Sequence, residues 1–276
     1  MTAQGTRMKA TGRQVSSSTP FRMLARAGLA ARGVIYLLIG FLATQIALGK
    51  GGKEADRQGA LQTVATTPGG TVLLWLLAVG LAGMALWRFS EAIYGQSGPD
   101  GHKATKRLSS LARAIFYTAV CSSTVAFIIG SGGPGSSDKK SKDLTGKAMH
   151  DIPAGRWIVL LVGLGFVAGG IAIAVRAMKT QFEKKLNTHQ MSPQVRKAVK
   201  AVGMVGQSTR ALIYAAAGVF LAYAAITYDP GKAKGVDGTL RQFTKTAVGP
   251  WLLVLVALGL IVFGIYSFCE ARWRRI

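Results

Sequence analysis

Arginine and glutamate recur near the ends of apolar segments, at positions where the two could form ion pairs. Arg32 and Arg210 each lie just inside the start of an apolar run, and Glu91 and Glu270 each end the run that follows. A guanidinium group can bind a carboxylate through two parallel hydrogen bonds. If consecutive runs form antiparallel hairpins, Arg32 meets Glu91 and Arg210 meets Glu270. We interpret these pairs as structural clips between helices.

A middle copy of this pattern lacks the acid. Arg113 opens the third run, but Arg176 occupies the place that a glutamate takes in the other copies. We predict that Arg113 takes a partner from another repeat or from a phospholipid headgroup. A proton or anion relay is the alternative use of such charges, but a relay normally reaches the bilayer centre, and these residues lie at the ends of their runs.

Three tyrosines follow the arginines at a constant distance. Tyr36, Tyr117 and Tyr214 each come four residues later, which places arginine and tyrosine on one face of a helix. A tyrosine hydroxyl in a dry environment needs a partner, such as a backbone carbonyl or a neighbouring helix. A threefold ring of tyrosines around a central site is the alternative. The preferred interpretation is three core tyrosines.

Enzyme signatures are missing from the sequence. It contains no G-x-S-x-G elbow, no phosphate-binding glycine loop and no H-E-x-x-H. Its two cysteines and three histidines lie in separate segments, so neither a disulfide nor a metal site is expected. Asp56, Asp143 and Asp237 are the candidates for a lipid-modifying enzyme, but solvated loop acids explain them better. The sequence therefore predicts no catalytic residue, no cofactor and no metal.

Six long apolar runs must position these residues. Each is long enough for a helix to cross a bilayer, and an unbroken run does not suit a membrane barrel, whose strands alternate. The runs are Ala27–Leu48, Thr71–Ile93, Leu111–Gly130, Trp157–Ala177, Ala211–Tyr228 and Trp251–Cys269. The fold class is therefore predicted to be an all-α integral membrane protein with six transmembrane helices.

Basic residues are distributed unevenly between the two sides of these runs. The chain carries 34 lysines and arginines against 11 acids, a net charge of +23. The side with both termini carries 22 of these basic residues and 4 acids. By the positive-inside rule both termini are expected in the cytoplasm. The stretches 103–107 and 179–200 are expected to bind anionic headgroups, and no nucleic-acid motif is present.

The chain also repeats itself three times. The first helix of each copy opens with a similar phrase, at Arg32–Tyr36, Arg113–Tyr117 and Arg210–Tyr214. We predict a disordered polar tail over 1–23 and hairpin repeats over 24–95, 108–182 and 201–276. All three run in the same direction, unlike the inverted repeats of many transporters.

The connections opposite the termini are long and polar. In each, an acid precedes a glycine, with Asp143 as the acid of the middle copy. Apolar spacing predicts short surface helices over Gly59–Ala65 and Thr239–Val248. The Ser/Gly/Lys-rich stretch 131–142 is predicted to be flexible.

Three segments of the first copy resemble a known family. Ala31–Gly40, Gly52–Leu61 and Leu73–Gly83 together look like the family catalogued as domain of unknown function 1206. The resemblance covers residues 24–276 and is best in the first copy. It implies three tandem two-helix units, typical of actinobacterial membrane proteins, and hence a bacterial plasma membrane. It implies no activity.

Three functions are consistent with these features. A non-catalytic membrane module that binds lipid or a membrane-protein partner is preferred. A small transporter or channel, with its path between the hairpins, is the second hypothesis, and a lipid-modifying enzyme is the third. A polar cavity reaching mid-membrane would favour transport, whereas a packed Leu/Ala/Gly interior would favour a module.

Overall fold

The computed structural model describes residues 19–50, 53–95, 103–130, 137–243 and 249–275. Within these ranges the chain forms nine α-helices and no β-strand. The helices are α1 (Thr19–Ala47), α2 (Arg57–Ala65), α3 (Gly70–Tyr94), α4 (Ala104–Ile128), α5 (Ser137–Asp151), α6 (Gly155–Met178), α7 (Pro193–Thr227), α8 (Val236–Phe243) and α9 (Gly249–Trp273). Six of them, α1, α3, α4, α6, α7 and α9, are long and apolar enough to cross a membrane. The prediction of an all-α protein with six apolar spans is confirmed.

Helix α7 is much longer than its predicted apolar run, which began at Ala211. It begins at Pro193, and the Ser192 side chain caps it by accepting the Val195 amide at 3.3 Å. Its 35 residues extend about 50 Å, against about 30 Å for a hydrocarbon core. The hydropathy pattern identifies only the apolar part of this helix, whereas the Ser-Pro pair marks the N-terminus of the whole helix.

Helix α5 corrects the prediction of a flexible stretch over 131–142. Residues 131–136 lie outside the part of the chain that the structure describes, but residues 137–142 form the first turns of α5. Polar composition suggests flexibility, but two hydrogen bonds order this end: the Ser137 amide donates to Asp56, and the Asp138 side chain accepts the Gly235 amide. Residues 1–18 of the predicted disordered tail also lie outside the described ranges, whereas its residues 19–23 belong to helix α1.

The short surface helices lie close to their predicted places. Helix α2 begins two residues earlier than predicted, after Asp56, whose side chain accepts the Gly59 amide at 2.9 Å. Helix α8 covers Val236–Phe243 rather than Thr239–Val248. Residues 244–248 of that prediction have no described structure.

The chain folds into two compact units. The first comprises α1 up to Arg32, α3, α4 and the residues from Ser267 onward. Its core contains Ala25, Leu29, Met84 and Trp87. Helix α1 approaches α3 so closely that a Cβ added to Gly28 would lie 2.4 Å from the Gly80 carbonyl oxygen. Helices α3 and α4 pack side by side. Small residues thus permit close contact between helices in this unit.

The second unit comprises the rest of α1, helices α2 and α5 to α8, and α9 up to Tyr266. Helices α6 and α7 pack along their length. A Cβ on Gly218 would lie 2.7 Å from the Gly163 carbonyl oxygen, and one on Gly170 would lie 2.8 Å from that of Ala211. These helices belong to different predicted repeats, so this close packing crosses a repeat boundary.

Candidate functional site

Glu270 binds two arginines in the first unit. Its Oε2 accepts a hydrogen bond from Arg32 Nη2, and its Oε1 accepts one from Arg274 Nη1 at 2.7 Å. Arg32 Nε also donates to Ser267 Oγ at 3.1 Å. Glu270 and Arg274 are each only 7% exposed. This carboxylate therefore joins the start of the first apolar helix to the end of the last.

Glu91 binds a third arginine in the same unit. Its Oε2 accepts from Arg88 Nη1 at 2.6 Å and from Ser110 Oγ at 3.2 Å. Ser110 belongs to α4, so these bonds connect α3 to α4. Arg88 is 4% exposed, and its Nε has no hydrogen-bond acceptor among the described residues.

A buried tryptophan connects the two glutamate sites. The guanidinium carbons of Arg88 and Arg274 lie 4.2 and 4.9 Å from the ring centre of Trp87, within cation–π distance. Burial lowers the pKa of the Arg274 guanidinium, Glu270 raises it, and Arg88 and Arg32 lower it further. Arginine nevertheless stays protonated at physiological pH. We call Arg32, Arg88, Glu91, Glu270 and Arg274 the arginine–glutamate cluster.

The observed ion pair of Arg32 does not follow the predicted pairing. The hairpin pattern predicts that Arg32 pairs with Glu91 and Arg210 with Glu270, each within one repeat. The structure pairs Arg32 with Glu270, which joins the first repeat to the third. The prediction considered only neighbours within a hairpin, whereas this contact spans 238 residues of sequence. The partners Arg88 and Arg274 were missed, although their spacing from the glutamates, three and four residues, is a recognisable helical signal.

In the second unit, Arg210 interacts with aromatic rings. Its Nε donates to the Tyr214 hydroxyl at 3.0 Å, and its guanidinium carbon lies 5.1 Å from the Phe263 ring centre. The Tyr36 ring packs edge-on against Phe263 at 4.6 Å. Arg210 therefore contacts both Tyr214 and Phe263, and Phe263 in turn packs against Tyr36. Arginine and tyrosine four residues apart do share a helix face here.

The remaining predicted residues lie elsewhere in the two units. In the first unit, Tyr117 packs edge-on against Phe116 and lies against the core around Trp87. Arg113 is half-buried in α4, and Arg176 is exposed in the last turn of α6, where a cation complements the helix dipole. The partner of Arg113 stays a prediction.

Three aspartates connect the polar segments that join the two helices of each predicted hairpin. All three lie in the second unit. The bonds run from Ser137 N to Asp56 Oδ2 at 2.8 Å, from Gly235 N to Asp138 Oδ1 at 2.9 Å, and from Ala55 N to Asp237 Oδ1 at 2.7 Å. Each acid belongs to a different repeat and binds an amide of another. The three bonds therefore form a closed cycle, which we call the aspartate ring.

The aspartate ring corrects the interpretation of these acids as solvated. Asp56 and Asp237 are 1% and 5% exposed. The acid of the middle repeat is Asp138 rather than Asp143, which is exposed. The repeats differ in length in this connection, so an alignment on acid and glycine selected the wrong residue. A carboxylate accepting backbone amides is a strong, charge-assisted hydrogen-bonding group.

Arginine side chains also close two helix C-termini, one in each unit. Arginines near the starts of α4 and α6 donate through Nε and Nη2 to the last carbonyls of α3 and α7, with all four distances between 2.8 and 3.0 Å. The contacts are Arg107 to Ala92 and Ile93, and Arg156 to Ala225 and Ile226. Such carbonyls lack partners within their own helix, so the arginines satisfy them.

A cavity of about 380 Å³ lies at the N-terminal end of α7. Its lining consists of Glu183, Thr188, Met191, Pro193, Arg196, Lys197 and Lys200. We call it the basic cavity. No three His, Cys, Asp or Glu side chains lie close enough to share a metal ion in the ranges that the structure covers.

Comparison with known proteins explains the repeats. The model of one family, described as Domain of Unknown Function (DUF1206), matches the chain three times, at residues 27–95, 108–180 and 205–274. A Bacillus subtilis (strain 168) protein, called Uncharacterized protein YxxB, is 30% identical over 257 residues, 92% of each chain. No solved structure matches. The three tandem copies and the predicted resemblance are thus confirmed, and the chain belongs to the family of Domain of Unknown Function (DUF1206).

Proposed function

We propose that this protein is a non-catalytic membrane module that binds anionic phospholipid at the side carrying its termini. It resides in the plasma membrane of a bacterium with both termini in the cytoplasm. The observation that carries the proposal is the backbone contact between α6 and α7. A packed interior combined with a strongly basic surface suits binding at the membrane surface better than movement of a solute.

The contact between α6 and α7 is close at two positions, two turns apart, in the middle of α6. A Cβ on Gly163 would lie 2.7 Å from the Ala222 amide nitrogen, and one on Gly170 would lie 2.9 Å from that of Ala215. Backbones at this distance leave no space for a water-filled path between the two helices. The packing of small residues therefore supports a module and argues against a solute path at this interface.

The distribution of charge supports the orientation and the ligand. The side with the termini carries 22 basic residues and 4 acids, whereas the opposite side carries 12 and 7. Basic residues next to a membrane are attracted to anionic headgroups by about 1 kcal/mol each. The excess of basic residues is therefore sufficient for a preference among phospholipids.

Reconstitution tests the proposal. The full-length protein is placed in nanodiscs of phosphatidylcholine and phosphatidylglycerol, extracted in mild detergent, and its retained lipid is identified by mass spectrometry. We expect phosphatidylglycerol to be enriched over its share of the nanodisc. An unchanged lipid ratio would contradict lipid binding. Saturable, protein-dependent solute uptake into vesicles would instead support a transporter, and chemical conversion of the lipid would support an enzyme.

Reporter fusions test the orientation separately. A reporter active only in the cytoplasm, fused to either terminus, is expected to be active. Activity of a periplasmic reporter at either terminus would overturn the assignment of the basic side to the cytoplasm.

A further inference from the structure

The basic cavity combines three cations with one carboxylate. Arg196, Lys197 and Lys200 lie on the first turns of α7, and all three are exposed. Glu183 faces them from the preceding connection, and its Oε2 accepts a hydrogen bond from Arg196 Nη2 at 2.9 Å. Its Oε1 is buried and has no hydrogen-bond donor in the part of the chain that the structure describes. The lining therefore offers surplus positive charge beside one carboxylate.

An ordered connection holds this lining in place. Two short 3₁₀ helices, Gln181–Lys185 and Thr188–Gln190, lead into α7. Phe182 is buried and packs edge-on against Tyr266 at 5.3 Å, and it occupies the space beside Gly203. Because Phe182 is anchored next to Glu183, the carboxylate stays in position opposite the lysines.

The chemistry of the cavity favours a phosphate that carries a hydrogen-bond donor on the same molecule. Guanidinium and ammonium groups bind phosphate oxygens through charge-assisted hydrogen bonds. The N-terminal end of a helix adds to the attraction for an anion. A cavity of about 380 Å³ lies in the lower part of the range for small-molecule sites, about 300–1,000 Å³. A lipid headgroup with a hydroxyl or ammonium group supplies the phosphate for the cations and a hydrogen-bond donor for Glu183, and it is small enough for the cavity.

We propose that the basic cavity binds the headgroup of one phospholipid, with its phosphate on Arg196, Lys197 and Lys200. Glu183 accepts a hydrogen bond from the hydroxyl or ammonium group of the same headgroup. This inference rests on the proposed lipid-binding function and assigns it to one site. It distinguishes phosphatidylglycerol and phosphatidylethanolamine, which carry donors, from phosphatidylcholine, which carries none.

The test measures binding of short-chain lipids to the full-length protein in detergent by native mass spectrometry. The probes are dioctanoyl phosphatidylglycerol, phosphatidylethanolamine and phosphatidylcholine, together with inorganic phosphate. The site variant is Lys197→Ala/Lys200→Ala. Its matched control is Lys179→Ala/Lys184→Ala. This variant also removes two positive charges, but from the connection between α6 and α7, outside the cavity lining. Circular dichroism and thermal unfolding show whether each variant is folded.

The site variant is expected to bind phosphatidylglycerol about tenfold more weakly, as for loss of hydrogen bonds to a charged group. The control is expected to bind as the unmodified protein does. Glu183→Gln is expected to reduce the preference for phosphatidylethanolamine over phosphatidylcholine, because an amide is a weaker acceptor for an ammonium group.

Other outcomes overturn the inference. Equal weakening in both lysine variants would show that charge acts diffusely, so the cavity would not be the site although lipid binding would survive. Inorganic phosphate that competes as well as the lipids would identify free phosphate as the ligand. If the unmodified protein shows no preference among the lipids, the proposed function fails together with the site.

Discussion

The arginine–glutamate cluster and the aspartate ring both connect distant repeats through carboxylates, but they use different donors. In the cluster, Glu270 is bound by the side chains of Arg32 and Arg274. In the ring, Asp237 is bound by the backbone amide of Ala55 as well as by Arg241. The cluster thus depends on two side chains for each bond, whereas each connecting bond of the ring depends on one.

This difference determines how each region responds to substitution. A cation left in a buried cluster without its acid keeps its charge and has no solvent to stabilise it. A backbone amide left without its acceptor is neutral and costs less. The donor positions of the ring also tolerate side-chain changes, because every residue except proline supplies an amide.

Glu270→Ala should cause the largest loss of stability. It leaves the buried Arg274 and the part-buried Arg32 without their shared carboxylate, a change that costs about 3–5 kcal/mol in comparable sites. The free energy of unfolding in mixed detergent micelles measures the effect. Arg272→Ala, an exposed change on the same helical turn, is the control and should cost about 0.5 kcal/mol or less. Similar losses in the two variants would show that the cluster does not stabilise the fold.

Asp237→Ala should have the next largest effect. It removes the acceptor of both the Ala55 amide and Arg241 Nε, each at 2.7 Å. Hydrogen bonds to charged groups contribute about 1.5–3 kcal/mol, so we expect a loss in this range in the same unfolding assay. Asp143→Ala is the matched control because that aspartate is exposed. A control as damaging as Asp237→Ala would contradict the assignment of the ring.

Two substitutions at Ser137 should distinguish the contribution of its backbone amide to stability from that of its side chain. Proline is tolerated at the first position of a helix, where Ser137 lies, but it has no amide hydrogen to donate to Asp56. Ser137→Pro should therefore cost about 1–2 kcal/mol. Ser137→Ala keeps the amide and removes a buried hydroxyl that has no hydrogen-bond partner among the described residues, so it should change stability by at most about 0.5 kcal/mol. Equal effects would show that the amide bond to Asp56 is not formed.

The six spans and the three repeats could be predicted from sequence because both depend on local patterns. Lipid as solvent requires long apolar runs, and these are visible without knowledge of neighbours. The extension of α7 back to Pro193 cannot be recognised from hydropathy, since its first turns are polar and stabilised by a cap at Ser192. Hydropathy detects the environment of a helix rather than its ends.

The contacts between repeats could not be predicted because nothing local encodes them. The bond from Ala55 to Asp237 joins residues 182 positions apart, and that from Arg32 to Glu270 joins residues 238 apart. Self-comparison identifies equivalent positions but cannot say which copy each side chain meets. The helix at 137–142 escaped prediction for the same reason, since bonds from other repeats order it.

Amide hydrogen exchange at Ala55, Ser137 and Gly235 tests the cyclic connection of the three repeats most directly. Each amide donates to an aspartate of another repeat. We predict slow exchange at all three positions in the full-length protein, and faster exchange at Ala55 in an Asp237→Asn variant. Exchange at the rate of an unprotected loop at these amides in the unmodified protein would contradict the ring.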